Sequence, residues 1–96
     1  MRLLIHELAV EDFRMAIEEI GHFSPQAADA FSTAFTLAAR DAAKHPYRDR
    51  LFGRFRERSL SKFNRRFLYL VNEGRDEVWI MHLPGSDSAA NDISKD

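Results

Sequence analysis

Arg54, Arg56 and Arg58 alternate along one short segment, with Lys62, Arg65 and Arg66 a few residues further on. Side chains two apart share a face of a strand. That spacing would set three guanidiniums side by side, the arrangement that grips a phosphate backbone or an acidic protein segment. Phe52 and Phe55 lie nearby and could add stacking to the charge. A solvated strand face, or a charged edge that guards a sheet against misassociation, would have the same pattern. Cleavage of RNA without a metal asks for more: a base for the 2′-hydroxyl, an acid for the leaving oxygen and cations on the transition-state phosphate. Arg66 opens an apolar run, where it is either such a cation or a surface residue whose stem lies along the sheet. His82 closes another apolar run and carries an imidazole that titrates near neutrality. Its alternative role is a hydrogen-bonded histidine at a sheet rim. His6, His22 and His45 share no ligand spacing and there is no cysteine, so neither a metal nor a cofactor is expected. Glycine-rich phosphate loops, G-x-S-x-G and H-E-x-x-H are all absent from the sequence.

The charge is segregated. Residues 40–66 hold ten Lys or Arg against three acids, inside a chain whose net charge is −1. The segments on either side are acidic, so one sector of the fold is expected to present a positive field to phosphate or to an acidic partner.

Positioning these residues falls to a single small domain. Ninety-six residues with 45 % hydrophobic and 30 % charged side chains have an ordinary globular composition. The absence of cysteine suits a reducing compartment. The start, Met-Arg-Leu-Leu-Ile-His-Glu, meets a histidine and an acid too early for a signal peptide. No apolar run approaches the roughly 18 residues that would span a bilayer. A cytoplasmic protein without membrane contact is the expectation.

Arg2 to His6 reads as a short strand buried on both faces. From Leu8 the period changes, with Val10, Phe13, Ala16, Ile17 and Ile20 on one side of an amphipathic helix that Gly21 is expected to stop. Ser24 and Pro25 mark the cap and first position of a second helix. That helix runs to about Lys44, with Phe31, Ala34, Phe35, Ala38 and Ala42 inward, and Pro46 stops it. After an arginine-bearing loop, strands are expected at Phe55–Leu60, Arg66–Val71 and Glu77–Leu83, with turns at Asn64 and around Gly74. The predicted fold is α+β: an N-terminal strand, a helical hairpin and a three-stranded antiparallel meander, with the helices on one face of a four-stranded sheet. The middle strand is apolar on both sides, so Leu68 and Leu70 need a cover on the face that the helices do not reach. The domain is expected to span 1–85, and residues 86–96 read as a polar, acidic tail.

In this order and at these separations, several pieces resemble the RelE/ParE superfamily of toxins from bacterial type II toxin-antitoxin systems, over about residues 2–83. They are Ser24-Pro25-Gln26-Ala27-Ala28, which is similar to the opening of the second family helix; His45-Pro46, which is similar to its close; and Arg58-Ser59-Leu60 followed by Arg66-Phe67-Leu68-Tyr69, which resembles a paired-strand motif of the family. The resemblance implies the fold described above and one of two activities, ribosome-dependent mRNA cleavage or inhibition of DNA gyrase.

On the ribonuclease branch, the resemblance implies a catalytic set of Arg66, Arg58, Lys62 and His82. The chain departs from that branch after its last strand. His82-Leu83-Pro84-Gly85-Ser86-Asp87-Ser88 has neither the basic stretch nor the tyrosine found there in the family. The departure favours a ParE-like toxin that binds gyrase over an enzyme. Arg54, Arg56, Arg65, Leu68 and Leu70 would then contact the target or a cognate antitoxin, and operator DNA would be reached only through the antitoxin. A homodimer covering Leu68 and Leu70, a nuclease that meets the ribosome, and a non-toxic regulatory relative are the alternatives.

Overall fold

A computed structural model describes residues 1–85, and the predicted tail at 86–96 lies outside the described residues. The elements are strand β1 (Arg2–Ile5), helices α1 (Glu7–Phe23) and α2 (Pro25–Lys44), and strands β2 (Leu51–Phe52), β3 (Phe55–Leu60), β4 (Arg65–Asn72) and β5 (Glu77–His82). The strands form one sheet in the order β1-β5-β4-β3-β2. β1 runs parallel to β5, and the other pairings are antiparallel. The α+β architecture is the one expected, with both helices on one face. The sheet has five strands rather than four. The extra strand, β2, pairs Leu51 with Arg56 and Phe52 with Phe55, and two residues are too few to show a period in sequence. Gly53 closes that hairpin at φ 61°, a backbone region that glycine enters without the cost a Cβ brings.

The helical hairpin is built around one residue. Ser24 donates its N–H to Ile20 O at 3.0 Å, ending α1, while its Oγ accepts from Ala27 N–H at 3.1 Å, starting α2. Gly21 does not stop the first helix as expected. It stays helical where α1 and α2 converge, and a Cβ at this position would stand 3.5 Å from the Ala28 Cβ. His6 caps the other end of α1, its Nδ1 accepting from Leu8 N–H at 3.1 Å.

The inward stripe of α1 begins at Ala9 and not at Val10, which is 53 % exposed. Ala9, Phe13, Ala16 and Ile20 recur every three or four residues, and Val10 lies about 100° round the helix from Ala9. Against this stripe α2 sets Phe31, Phe35, Ala39 and Ala42, all buried. Phe13 meets Phe31 and Phe35 at ring separations of 5.8 and 5.0 Å, and Phe35 meets Phe67 of β4 at 5.4 Å. Phe67, Tyr69, Val78 and Ile80 complete this core from the sheet.

Two short 3-10 turns, Ser61–Phe63 and Glu73–Arg75, link β3 to β4 and β4 to β5. Each ends on a left-handed residue, Asn64 at φ 54° and Asp76 at φ 56°, the types that tolerate this region best after glycine. The end of β5 is tied to α1 where Leu83 N–H donates to Asp12 Oδ2 at 3.1 Å. No helix of the described residues is long and apolar enough to cross a membrane.

Candidate functional site

Strand register decides which arginines can act together. Arg56 pairs with Tyr69 and Arg58 with Phe67, so both share the face that the helices cover. Arg65 joins them there, 7 % exposed and 3.1 Å from Glu19 of α1. Glu57, paired with Leu68, faces the other way, as does Arg66. The two members of the predicted row that lie in β3, Arg56 and Arg58, are therefore on the helix side of the sheet and not on the open face.

Arg58 is 16 % exposed and is held on three sides. Its Nε donates to both oxygens of Asp49 at 2.9 and 3.0 Å, one terminal nitrogen donates to Asp41 at 2.9 Å, and the other reaches Ala38 O at 3.4 Å. Arg48 pairs with the same Asp41. Arg56 donates to Asp49 O at 2.8 Å, and its guanidinium lies 5.2 Å from the centre of the Tyr47 ring. The Tyr69 hydroxyl donates to Asp49 Oδ2 at 2.7 Å and also lies 3.2 Å from Pro46 O. Burial pulls the Asp49 carboxyl upward, but Arg58 and the Tyr69 hydroxyl outweigh it and hold the group below the ordinary aspartate range. Burial, followed by the neighbouring Asp49 charge, pushes the Tyr69 phenol well above its ordinary value. This cluster fastens the 46–50 loop to the end of α2 and to β4.

The open face carries different chemistry. Arg66 pairs with Glu57 and lies over the Phe52 ring, 4.3 Å from its centre. Arg50 reaches the other oxygen of the same carboxylate at 2.8 Å, so two guanidiniums share one anion. Burial lowers the Arg66 pKa, and the nearby Arg50 charge lowers it further. His82 lies opposite Leu68 on β5. A register shift at Leu68/Tyr69 brings His82 onto the same face as Trp79 despite their odd separation. Its ring meets Phe55 edge-on at 5.3 Å. Leu68 is fully buried, while Leu70 is half-buried. Toward β1, Glu77 accepts from Trp79 Nε1 at 3.0 Å and pairs with Arg2, and these two donors hold its carboxyl below the ordinary range.

Of the residues singled out in sequence, the structure brings Arg66, His82, Leu68 and Leu70 to the open face, and Arg56, Arg58 and Arg65 to the helix face. Arg54 stands at the β2–β3 hairpin, its guanidinium 5.1 Å from the Phe55 ring centre. Lys62 is exposed in the turn between β3 and β4. Sequence reasoning passed over Glu57 and Arg50. The signal for Glu57 was its place as the one acid between Arg56 and Arg58, where period two assigns it to the opposite face. Among the described residues no group of three or more His, Asp or Glu side chains converges as metal ligands do.

No protein-family model and no curated protein matches the chain.

Proposed function

We propose that this chain is the toxin of a bacterial type II toxin-antitoxin pair, of the ParE-like kind. It binds an essential target, DNA gyrase, and a cognate antitoxin neutralises it. The toxin reading rests on the resemblance of its motifs, and the α+β order of a strand, a helical hairpin and a meander is compatible with it. The observation that carries binding over catalysis is the separation of Arg58 from Arg66. A metal-free ribonuclease must gather its cations around one phosphate. Here one of the two lies under α2 against Asp41 and Asp49, and the other lies on the far face against Glu57. Arg54 and Lys62, with no carboxylate partner among the described residues, are the cations best placed to meet a macromolecule. Purified gyrase assayed for supercoiling is the test. Inhibition that a co-purified antitoxin reverses is expected, and supercoiling unchanged at excess protein removes the gyrase assignment.

A second reading, a ribosome-dependent mRNA endonuclease, draws on one observation. Glu57, Arg66 and His82 share the open face, with Glu57 and His82 flanking Leu68 on adjacent strands. Those are a carboxylate, a cation and an imidazole, the groups that general acid–base cleavage uses. Primer extension on transcripts from induced cells separates the readings: new cuts that disappear in Arg66→Ala favour the enzyme.

A further inference from the structure

Glu57 occupies a position that two arginines define. Arg50 approaches one carboxylate oxygen with Nε at 2.9 Å and a terminal nitrogen at 2.8 Å, and Arg66 approaches the other. Their exposures differ. The Arg50 side chain is 77 % exposed, whereas Arg66 is 19 % and Glu57 10 % exposed. Arg66 lies over Phe52, 4.3 Å from the ring centre, a cation–π contact that helps hold its guanidinium beside Glu57. Glu57 leaves an excess of one positive charge on this pair, and Arg54 with its guanidinium over Phe55 stands at the neighbouring hairpin. Two guanidiniums converging on one point repel each other unless an anion lies between them.

We propose that Arg50, Arg66 and Phe52 form a phosphate-accepting site on the open face, and that Glu57 is its built-in occupant, which an incoming phosphate must displace. Three features support a phosphate over an acidic side chain. A carboxylate from a partner only exchanges one monoanion for another of the same shape. A phosphate brings more acceptor oxygens to donors that Glu57 does not saturate, since a guanidinium carries five N–H groups. The adjoining Phe52 ring, partly exposed and with an arginine over it, also suits the phosphate–base alternation of a single strand. The contact is thus autoinhibitory: the chain carries the site in a closed form, and affinity is set by how readily Glu57 yields. This does not depend on the toxin reading, because it concerns the anion and not the target.

The test uses the full chain, wild type and Glu57→Gln, titrated at fixed ionic strength with inorganic phosphate and with a single-stranded RNA dodecamer of mixed sequence. Glu57→Gln is expected to bind the dodecamer at least ten-fold more tightly than wild type, with a steeper salt dependence. Adding Arg66→Ala to Glu57→Gln is expected to abolish the gain. A gain with inorganic phosphate as well assigns the site to free phosphate, and a gain with RNA alone assigns it to the nucleic-acid backbone. Equal affinity of wild type and Glu57→Gln for both probes, or a gain that survives in the double variant, overturns the proposal. So does a poly-glutamate peptide that gains more from Glu57→Gln than RNA does. Should Glu57→Gln fail to fold, nitrogen-15 spectra of the wild type decide. Saturating phosphate or RNA should move the Arg50 and Arg66 Nε–H signals, and unmoved signals refute the site.

Discussion

Arg58 and Arg66 leave the sheet through opposite faces, although their strands are neighbours joined by a single short turn. The consequence is a division of labour within one basic segment. The acids of residues 40–66 are Asp41, Asp49 and Glu57, and each is engaged by arginines of the same segment. Asp41 and Asp49 hold Arg58 against α2, Asp41 also pairs with the exposed Arg48, and Glu57 holds Arg50 and Arg66 on the open face. The strong positive field that the sequence implies is therefore partly neutralised at short range within the chain itself.

Arg58→Ala is expected to destabilise the chain by about 3 kcal/mol, because removing one partner of a largely buried ion pair strands the other charge. Asp49 would lose its main cation, and Asp41 would keep only Arg48. Arg54→Ala, at an exposed hairpin, is expected to change stability by less than about 0.5 kcal/mol. Urea denaturation of both variants checks the contrast, and equal effects would show that Arg58 is not the anchor.

The Asp49 carboxyl sits below its ordinary value in the fold, so near that value the unfolded chain binds more protons than the folded one. Its contribution to stability is complete above the unfolded value of about 3.9. It is lost as pH falls through the lower, folded value. Urea midpoints measured from pH 6 down to pH 2 should fall in the acid range, and Asp49→Asn should flatten that fall. An identical acid slope in the variant would place the linkage on other carboxylates.

Much of this was legible in the sequence. The helical hairpin followed from Ser24-Pro25 and Pro46, and the strands from apolar runs bounded by turn residues. Face assignment was not. Alternation shows that Arg56 and Arg58 share a side, but both sides of β4 are apolar, and nothing in the string says which of them α2 covers. The roles of Asp41 and Asp49 were hidden for a related reason. They act across 17 and 9 residues of chain on Arg58, at separations fixed by tertiary packing and not by any local period. Tyr69 is the clearest instance: three residues from Arg66 in the motif, it points to the opposite face and closes the Asp49 cluster.

Gly21→Ala is expected to stabilise the protein by about 0.5 to 1 kcal/mol, since glycine inside a helix carries an entropic cost relative to alanine. The position is helical, without a positive φ, and the added Cβ meets Ala28 at an ordinary contact distance of 3.5 Å. Thermal denaturation reads the change. A lowered midpoint would mean that the two helices tolerate no methyl at their junction.

Leu68 and Leu70 separate what this chain buries by itself from what it leaves partly exposed. Leu68 is 0 % exposed, whereas Leu70 is half-buried. Leu68→Ala is expected to cost about 3 kcal/mol in the isolated chain, through lost transfer free energy and the cavity left behind. Leu70→Ala should cost about 1 kcal/mol, in proportion to its smaller buried area. If the proposed antitoxin or target docks on this face, the order of effects on affinity should reverse, because of these two leucines only Leu70 still has surface to bury. Denaturation of the free chain and titration with the partner measure the two halves. A Leu68→Ala variant as stable as wild type when alone, yet impaired in binding, would show that the partner covers Leu68 too.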